Sequence, residues 1–308
     1  MAEDVRARRL ANDAPLESNV FDCALAFEGG GYRAAYTAGF VVMLLEQGIY
    51  FDYVCGISAG ASHALNYVSR DIPRAALAFM GIDGTEKLGG FGSFVRGKGY
   101  FNADYMYHGC LVDGFFPFDY ETFAANPAQV GIQTFERDTG RTVVFDKSDA
   151  HDTLSLFLHT RASATIPIAM KPEPIDGKVY YDGGLGEGAG IPLRMAERSG
   201  KERTVLVATR PFGYQKKPLG ARARKIMTRL FGAYPHLLEA VLTRNERYNK
   251  ELAYVKQRET EGAVLVIAPE SMPVSNGTLS PTKLEGAYQQ GYAQALRELP
   301  RLREYLGL

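Results

Sequence analysis

Tryptophan is absent from this 308-residue chain, cysteine occurs only three times, and the charges cancel, with 35 basic against 35 acidic residues. Each scarcity excludes something. Cys23, Cys55 and Cys110 are odd in number and nowhere spaced as CxxC, which rules out a cysteine-rich zinc module and reads as buried structural thiols in a reducing, cytoplasmic setting. A balanced charge offers no basic excess for a nucleic-acid partner. The longest apolar run, Phe40 to Leu45, is far short of the roughly 20 residues that cross a bilayer, so membrane contact is expected to be peripheral at most, at the inner face. Residues 1–20, MAEDVRARRLANDAPLESNV, are polar where a secretion signal needs an apolar core, and read as a flexible tail. No acidic cluster has calcium-loop spacing, so neither metal nor cofactor is expected. Repeats, low-complexity tracts and clear linkers are missing too, which leaves one domain over residues 21–308.

What is present is an alternation of strand and helix patterns. Cys23 to Phe27 reads as a strand, Tyr32 to Gln47 as a helix stopped by Gly48, and Phe51 to Cys55 as a second strand, a β-α-β start. Further strands are expected at Gln129–Glu136, Thr142–Phe145, Val179–Tyr181, Thr204–Ala208 and Val264–Ala268, the first two joined by the turn Asp138-Thr139-Gly140. Helices are expected at Ala59–Ser69, Pro73–Met80, Thr153–Thr160, Pro192–Ser199, as a long pair within Ala221–Glu259, and at Pro281–Glu298. The fold class that follows is a three-layer α/β/α sandwich with a mainly parallel central sheet.

Two glycine clusters follow the first two strands. In GISAGAS, Ser58 lies between Gly56 and Gly60 where a strand pattern meets a helix pattern, the context of a nucleophile held on a sharp turn. In EGGGYRAAYTAG, the amides of Gly29, Gly30 and Gly31 can converge on one point, as a phosphate cradle or an oxyanion hole requires. Gly29, Gly31 and Ala34 also satisfy the dinucleotide pattern G-x-G-x-x-A, with Asp52 as its acid, but Asp52 opens the second strand instead of ending it. An oxyanion loop beside a nucleophile explains both clusters with one site. For the base, a triad Ser58, Asp182, His236 can be written, yet His236 sits in a helical stretch, and His63 points along the helix that follows the serine. Asp182 in YYDGG ends a strand and is followed by Gly183 and Gly184; burial would raise its pKa toward that of a useful base, while an Asp-Gly turn is the plain alternative.

EGGGYRAAYTAG, GISAGAS and YDGG together resemble, in order and approximate separation, the patatin-like phospholipases, acyl hydrolases with a Ser-Asp dyad in place of a triad. The resemblance runs from about Phe21 to the C-terminus, and TVLVATRP and AVLVIAPESMPV look like the bacterial branch. It implies a lipase or phospholipase type serine acyl hydrolase that cleaves fatty acyl esters through an acyl-enzyme. Ser58 would be the nucleophile, Asp182 its base and the Gly29 to Gly31 amides the oxyanion hole, with Arg33, Gly56, Gly60, Gly183 and Gly184 in support. The chain departs from the family at Ala34, commonly glycine, and in GLGEGAGIP, which is unusually rich in glycine. The alternative is a non-catalytic lipid- or partner-binding protein on the same fold.

Two further segments bear on the substrate. The aromatic stretch Phe91 to Phe123 would cap the serine and line an acyl-chain channel, or else pack an irregular insertion. Residues 214–229, YQKKPLGARARKIMTR, carry six basic residues and no acid, which suits an anionic bilayer surface as well as a solvated helix face.

Overall fold

The computed structural model of the protein describes residues 16–80, 102–109, 117–172 and 174–308. Its strands are β1 (Cys23–Phe27), β2 (Tyr53–Ile57), β3 (Gln129–Glu136), β4 (Thr142–Phe145), β5 (Pro174–Ile175), β6 (Lys178–Asp182), β7 (Arg203–Val207) and β8 (Val264–Ile267). Its α-helices are α1 (Ala34–Glu46), α2 (Ala59–Val68), α3 (Ile72–Leu77), α4 (Tyr120–Ala125), α5 (Thr153–Ala164), α6 (Leu193–Arg198), α7 (Ala221–Phe231), α8 (Pro235–Thr260) and α9 (Pro281–Leu306). All the strands join one sheet in the order β5-β6-β3-β2-β1-β7-β8, with β4 paired to β3. β3, β2, β1, β7 and β8 run parallel, while β4 and β6 are antiparallel to β3. The mainly parallel α/β/α sandwich expected from the sequence is therefore the observed fold.

Burial on both faces explains the unbroken apolar strands. Cys23, Leu25 and Phe27 of β1 join a core with residues of α1, α2 and α9, whereas Ala24 and Ala26 face the layer that contains α6 and α8. α1 is buried along nearly its whole length, as a helix apolar all round must be, because it lies under α9 as well as on the sheet. The last helix was expected to stop ahead of Pro300; it continues to Leu306, with Leu302 and Leu306 packed into the core. β2 starts and ends two residues later than the sequence pattern suggests, which carries the strand to the residue before Ser58.

The expected tail, residues 1–20, lies outside the described residues as far as residue 15. From Glu17 on the chain is held: the Glu17 carbonyl accepts from Arg70, Asn19 exchanges hydrogen bonds with the backbone of Gly48 and Tyr50, and Val20 bridges Phe51. Cys23 and Cys55 are free and buried; Cys110 lies outside the described residues. No described helix is long and apolar enough to cross a membrane.

α1 and α9 cross with their backbones in contact. A Cβ on Gly39 would stand 2.2 Å from the Tyr292 nitrogen, and one on Gly291 would stand 1.9 Å from the Tyr36 oxygen. Gly39→Val is expected to destabilise the fold by about 3 kcal/mol, the upper range for overpacking. Urea unfolding checks this: a midpoint unchanged from the parent would contradict the crossing.

Candidate active site

The site is assembled by the register around β3. Ile57 of β2 is opposite Gln133, and Asp182 of β6 is opposite Thr134. β4 occupies the other edge over the same stretch, so β2 and β6 must share one edge and meet end to end. The residue after Ile57 is Ser58, and Asp182 ends β6, which makes them neighbours across 124 residues of sequence, 182 minus 58. Ser163 of α5 fills the junction: its hydroxyl accepts from the Ser58 amide at 2.8 Å and donates to the Gln133 carbonyl at 2.7 Å.

Ser58 has φ 58° and ψ −124°, a conformation that L-residues rarely adopt. Its flanking glycines have a steric cause. A Cβ on Gly56 would lie 2.1 Å from the Gly60 oxygen, and one on Gly60 would lie 2.1 Å from the Phe27 oxygen. The ends of β1 and β2 and the first turn of α2 thus meet backbone to backbone. The amino end of α2 is directed at Ser58, where its dipole favours negative charge.

Asp182 is 7% exposed, and burial pushes its pKa above the usual 3.8. Arg244, the Gly184 amide and a hydrogen bond from the Ser58 hydroxyl oppose that shift. One carboxylate oxygen accepts from the Gly184 amide at 2.7 Å. α8 clamps the turn that follows: Arg244 donates to the Gly184 carbonyl at 2.8 Å, and Arg247 donates to the carbonyls of Leu185 and Gly186. A Cβ on Gly183 would lie 2.1 Å from the Gln133 oxygen, so this glycine too marks a close backbone approach.

The histidines are placed elsewhere. His63 is buried between Phe27 and Phe79, its Nε2 beside the Thr37 hydroxyl at 2.9 Å, and burial pushes its pKa down to about 3. His236 is exposed at the start of α8, against Gly140 of the β3–β4 turn. A triad through His236 is therefore not assembled. Nor is the dinucleotide alternative, because Asp52 pairs with Lys201 at the opposite end of β2 from the glycine loop.

The glycine loop requires one correction. The Gly29 amide donates to the Gly190 carbonyl at 3.0 Å, so it does not point into the site as the sequence reading held. The amides of Gly30 and Gly31 have no partner among the described residues. The glycine-rich departure GLGEGAGIP now has a reason: Gly188, Ala189 and Gly190 all have positive φ, and this contorted segment brings Gly190 against the loop. Ala34 opens α1 fully buried, with its carbonyl facing His63 Nε2. Arg33 is not a solvated helix residue; it is 7% exposed and contacts the Thr209 hydroxyl at 3.5 Å.

Two cavities open beside Ser58 and Gly31. The first is mostly apolar and includes Leu65, Phe79, Met106, Phe157, Ile166 and Met170 in its wall. The second reaches Asp182 and carries Arg33, Arg210, Lys216 and Arg244. No histidine lines either cavity among the described residues. Of the aromatic stretch 91–123, residues 91–101 and 110–116 lie outside the described residues; Met106 and Tyr107 line the apolar cavity, and Phe118 and Phe123 are buried in the core.

Comparison with known proteins yields two family matches. The model for the patatin-like phospholipases matches residues 25–196, more than half of the chain. The chain belongs to the patatin-like phospholipase family. A domain of unknown function, DUF6363, matches residues 234–307. Among solved structures, the crystal structure of VipD from Legionella pneumophila is similar over 94% of this chain and 67% of that one, with a TM-score of 0.49 and 13% identity. No curated protein matches. Ser58 and Asp182 fall in the patatin-like match, whereas Arg244, Arg247 and Tyr248 fall in the second one. Sequence reading missed those three, together with Ser163 and Arg210, and read Lys216 only as part of the basic segment 214–229; the one hint to α8 was Arg244 and Arg247 on one helix face at i, i+3.

The raised pKa of Asp182 has a stability consequence. The folded chain holds this proton more tightly than the unfolded chain, so the associated stability is present below the ordinary value of 3.8 and lost as pH rises through the raised value. Asp182→Asn removes that loss. It is expected to be more stable than the parent at neutral pH, with the gain shrinking as pH falls toward 3.8, in urea midpoints measured across pH.

Proposed function

We propose that this member of a lipid-hydrolase family is a serine acyl hydrolase that cleaves fatty acyl esters of phospholipids or related lipids. The observation that carries the reading is the end-to-end meeting of β2 and β6, which sets a serine in a strained turn beside a buried carboxylate at the head of an apolar cavity. The acyl chain occupies that cavity, and the ester carbonyl faces the Gly30 and Gly31 amides. Ser58 Oγ attacks the carbonyl carbon as its proton passes to Asp182, and the two amides receive the oxyanion. The intermediate collapses, Asp182 returns the proton to the departing alcohol oxygen, and the acyl group stays on Ser58. Water then gives a proton to Asp182 and its oxygen attacks the acyl-enzyme, releasing the fatty acid and restoring the serine hydroxyl.

The same reading treats residues 21–308 as one functional unit, since α8 holds the turn after the base. Peripheral membrane contact falls to α7, where Ile226 and Leu230 are 46% and 51% exposed among Arg222, Lys225 and Arg229.

Ser58→Ala should fold normally yet lose both ester hydrolysis and labelling by a fluorophosphonate. Asp182→Asn should lose about 100-fold or more in kcat, the scale of a general base, while His236→Ala behaves as the parent. Labelling that persists in Ser58→Ala would reject the nucleophile, and a parent that neither labels nor hydrolyses would favour a binding protein on the same fold. Because Asp182 must be ionised to accept a proton and burial raises its pKa, kcat/KM should climb with pH along a limb centred above 3.8. A pH–rate profile already flat at that point would place the base elsewhere.

A further inference from the structure

The two cavities at Ser58 differ in charge. Four cationic side chains line the second one, from four separate segments: Arg33 after the glycine loop, Arg210 after β7, Lys216 in the loop before α7, and Arg244 on α8. Besides Asp182, the one carboxylate among its described lining residues is Glu28. Glu28 already accepts from the Tyr248 hydroxyl at 2.7 Å and from the Thr209 amide. Arg33, more than nine-tenths buried, keeps an Nε with no hydrogen-bond partner among the described residues, and so does Arg210. Burial, then the nearby Arg210, pushes the Arg33 pKa down to about 10; burial, then Arg244, pushes Lys216 down to about 7. Unpartnered buried donors and crowded like charges are costly unless an anion joins them.

We propose that this cavity is a subsite for a phosphate-bearing, net-anionic head group, and that it selects anionic phospholipids over zwitterionic ones. The proposal rests on the acyl-hydrolase reading for its placement: with the acyl chain in the apolar cavity, the departing glycerol carries its phosphate into the basic one. Guanidinium groups match phosphate oxygens through paired N–H donors, and here they approach from several directions. A choline head group would add a fifth cation to these four, while phosphatidic acid or phosphatidylglycerol adds none. The stretch matched as a domain of unknown function gains a role, since its first helix, α8, supplies Arg244 and Tyr248 to this wall.

The test uses Ser58→Ala protein and dihexanoyl lipids kept monomeric, with binding followed by calorimetry. Dihexanoyl phosphatidic acid and phosphatidylglycerol are expected to bind at least tenfold more tightly than the phosphatidylcholine. Adding Arg210→Gln, or Lys216→Met as an independent variant, should weaken the anionic lipids by about 10- to 100-fold, the worth of a hydrogen bond to a charged group, and should erase the preference. In the parent, the kcat/KM ratio of anionic to uncharged acylglycerol esters should exceed ten and collapse in the same variants. Equal binding of anionic and zwitterionic lipids overturns the subsite, as does a preference that survives both variants. Inorganic phosphate binding as tightly as the anionic lipids would overturn the lipid assignment in favour of free phosphate. Selective binding without turnover by the parent would instead overturn the hydrolase reading and leave the subsite standing.

Discussion

The ends of β1 and β2 and the first turn of α2 pass so close that no Cβ fits between them, and the site depends on that contact. Gly56 and Gly60 permit it, and Ser58 accepts a positive φ because of it. Strain of this kind costs on the order of 1–3 kcal/mol and persists only where surrounding structure over-determines it. Here Phe27 and Ile57, both fully buried, anchor the two strand ends that enforce the turn. The sheet register completes the arrangement, because β2 and β6 divide one edge of β3 and their ends must meet.

Electrostatics adds a second layer. Burial raises the pKa of Asp182, and four groups oppose that shift: Arg244, the Gly184 amide, the Ser58 hydroxyl and Lys216. For the proposed role of Asp182 as base, a raised pKa suits proton transfer better than that of a solvated aspartate. Arg244 reaches Asp182 from α8, so the C-terminal part of the chain acts electrostatically on this residue of the patatin-like core. The basic cavity draws on both parts of the chain, whereas the apolar one is lined by residues of the patatin-like match alone.

The family, the layer architecture and the two residues of the proposed dyad were legible in the sequence, each for a local reason. Apolar strands buried on both faces appear as short unbroken runs, and close backbone approaches appear as glycines beside the residues they expose. Gly56, Gly60 and Gly183 could therefore be named before any coordinates, whereas the space beside Gly184 is filled by the side chains of Arg244 and Asp182. The rest depended on partners distant in sequence. Whether Gly29 offers its amide was decided by Gly190; whether His63 is a base, by its burial between two phenylalanines; and whether Arg33 is solvated, by the return of the chain at Thr209. The cationic wall is the clearest case: Arg33, Arg210, Lys216 and Arg244 have no shared motif, and they become neighbours only in the fold, where Glu28 after β1 accepts from Tyr248 of α8 and from the Thr209 amide after β7. Local sequence determined which backbone shapes were allowed, while the tertiary fold decided which charges and amides remained unpaired.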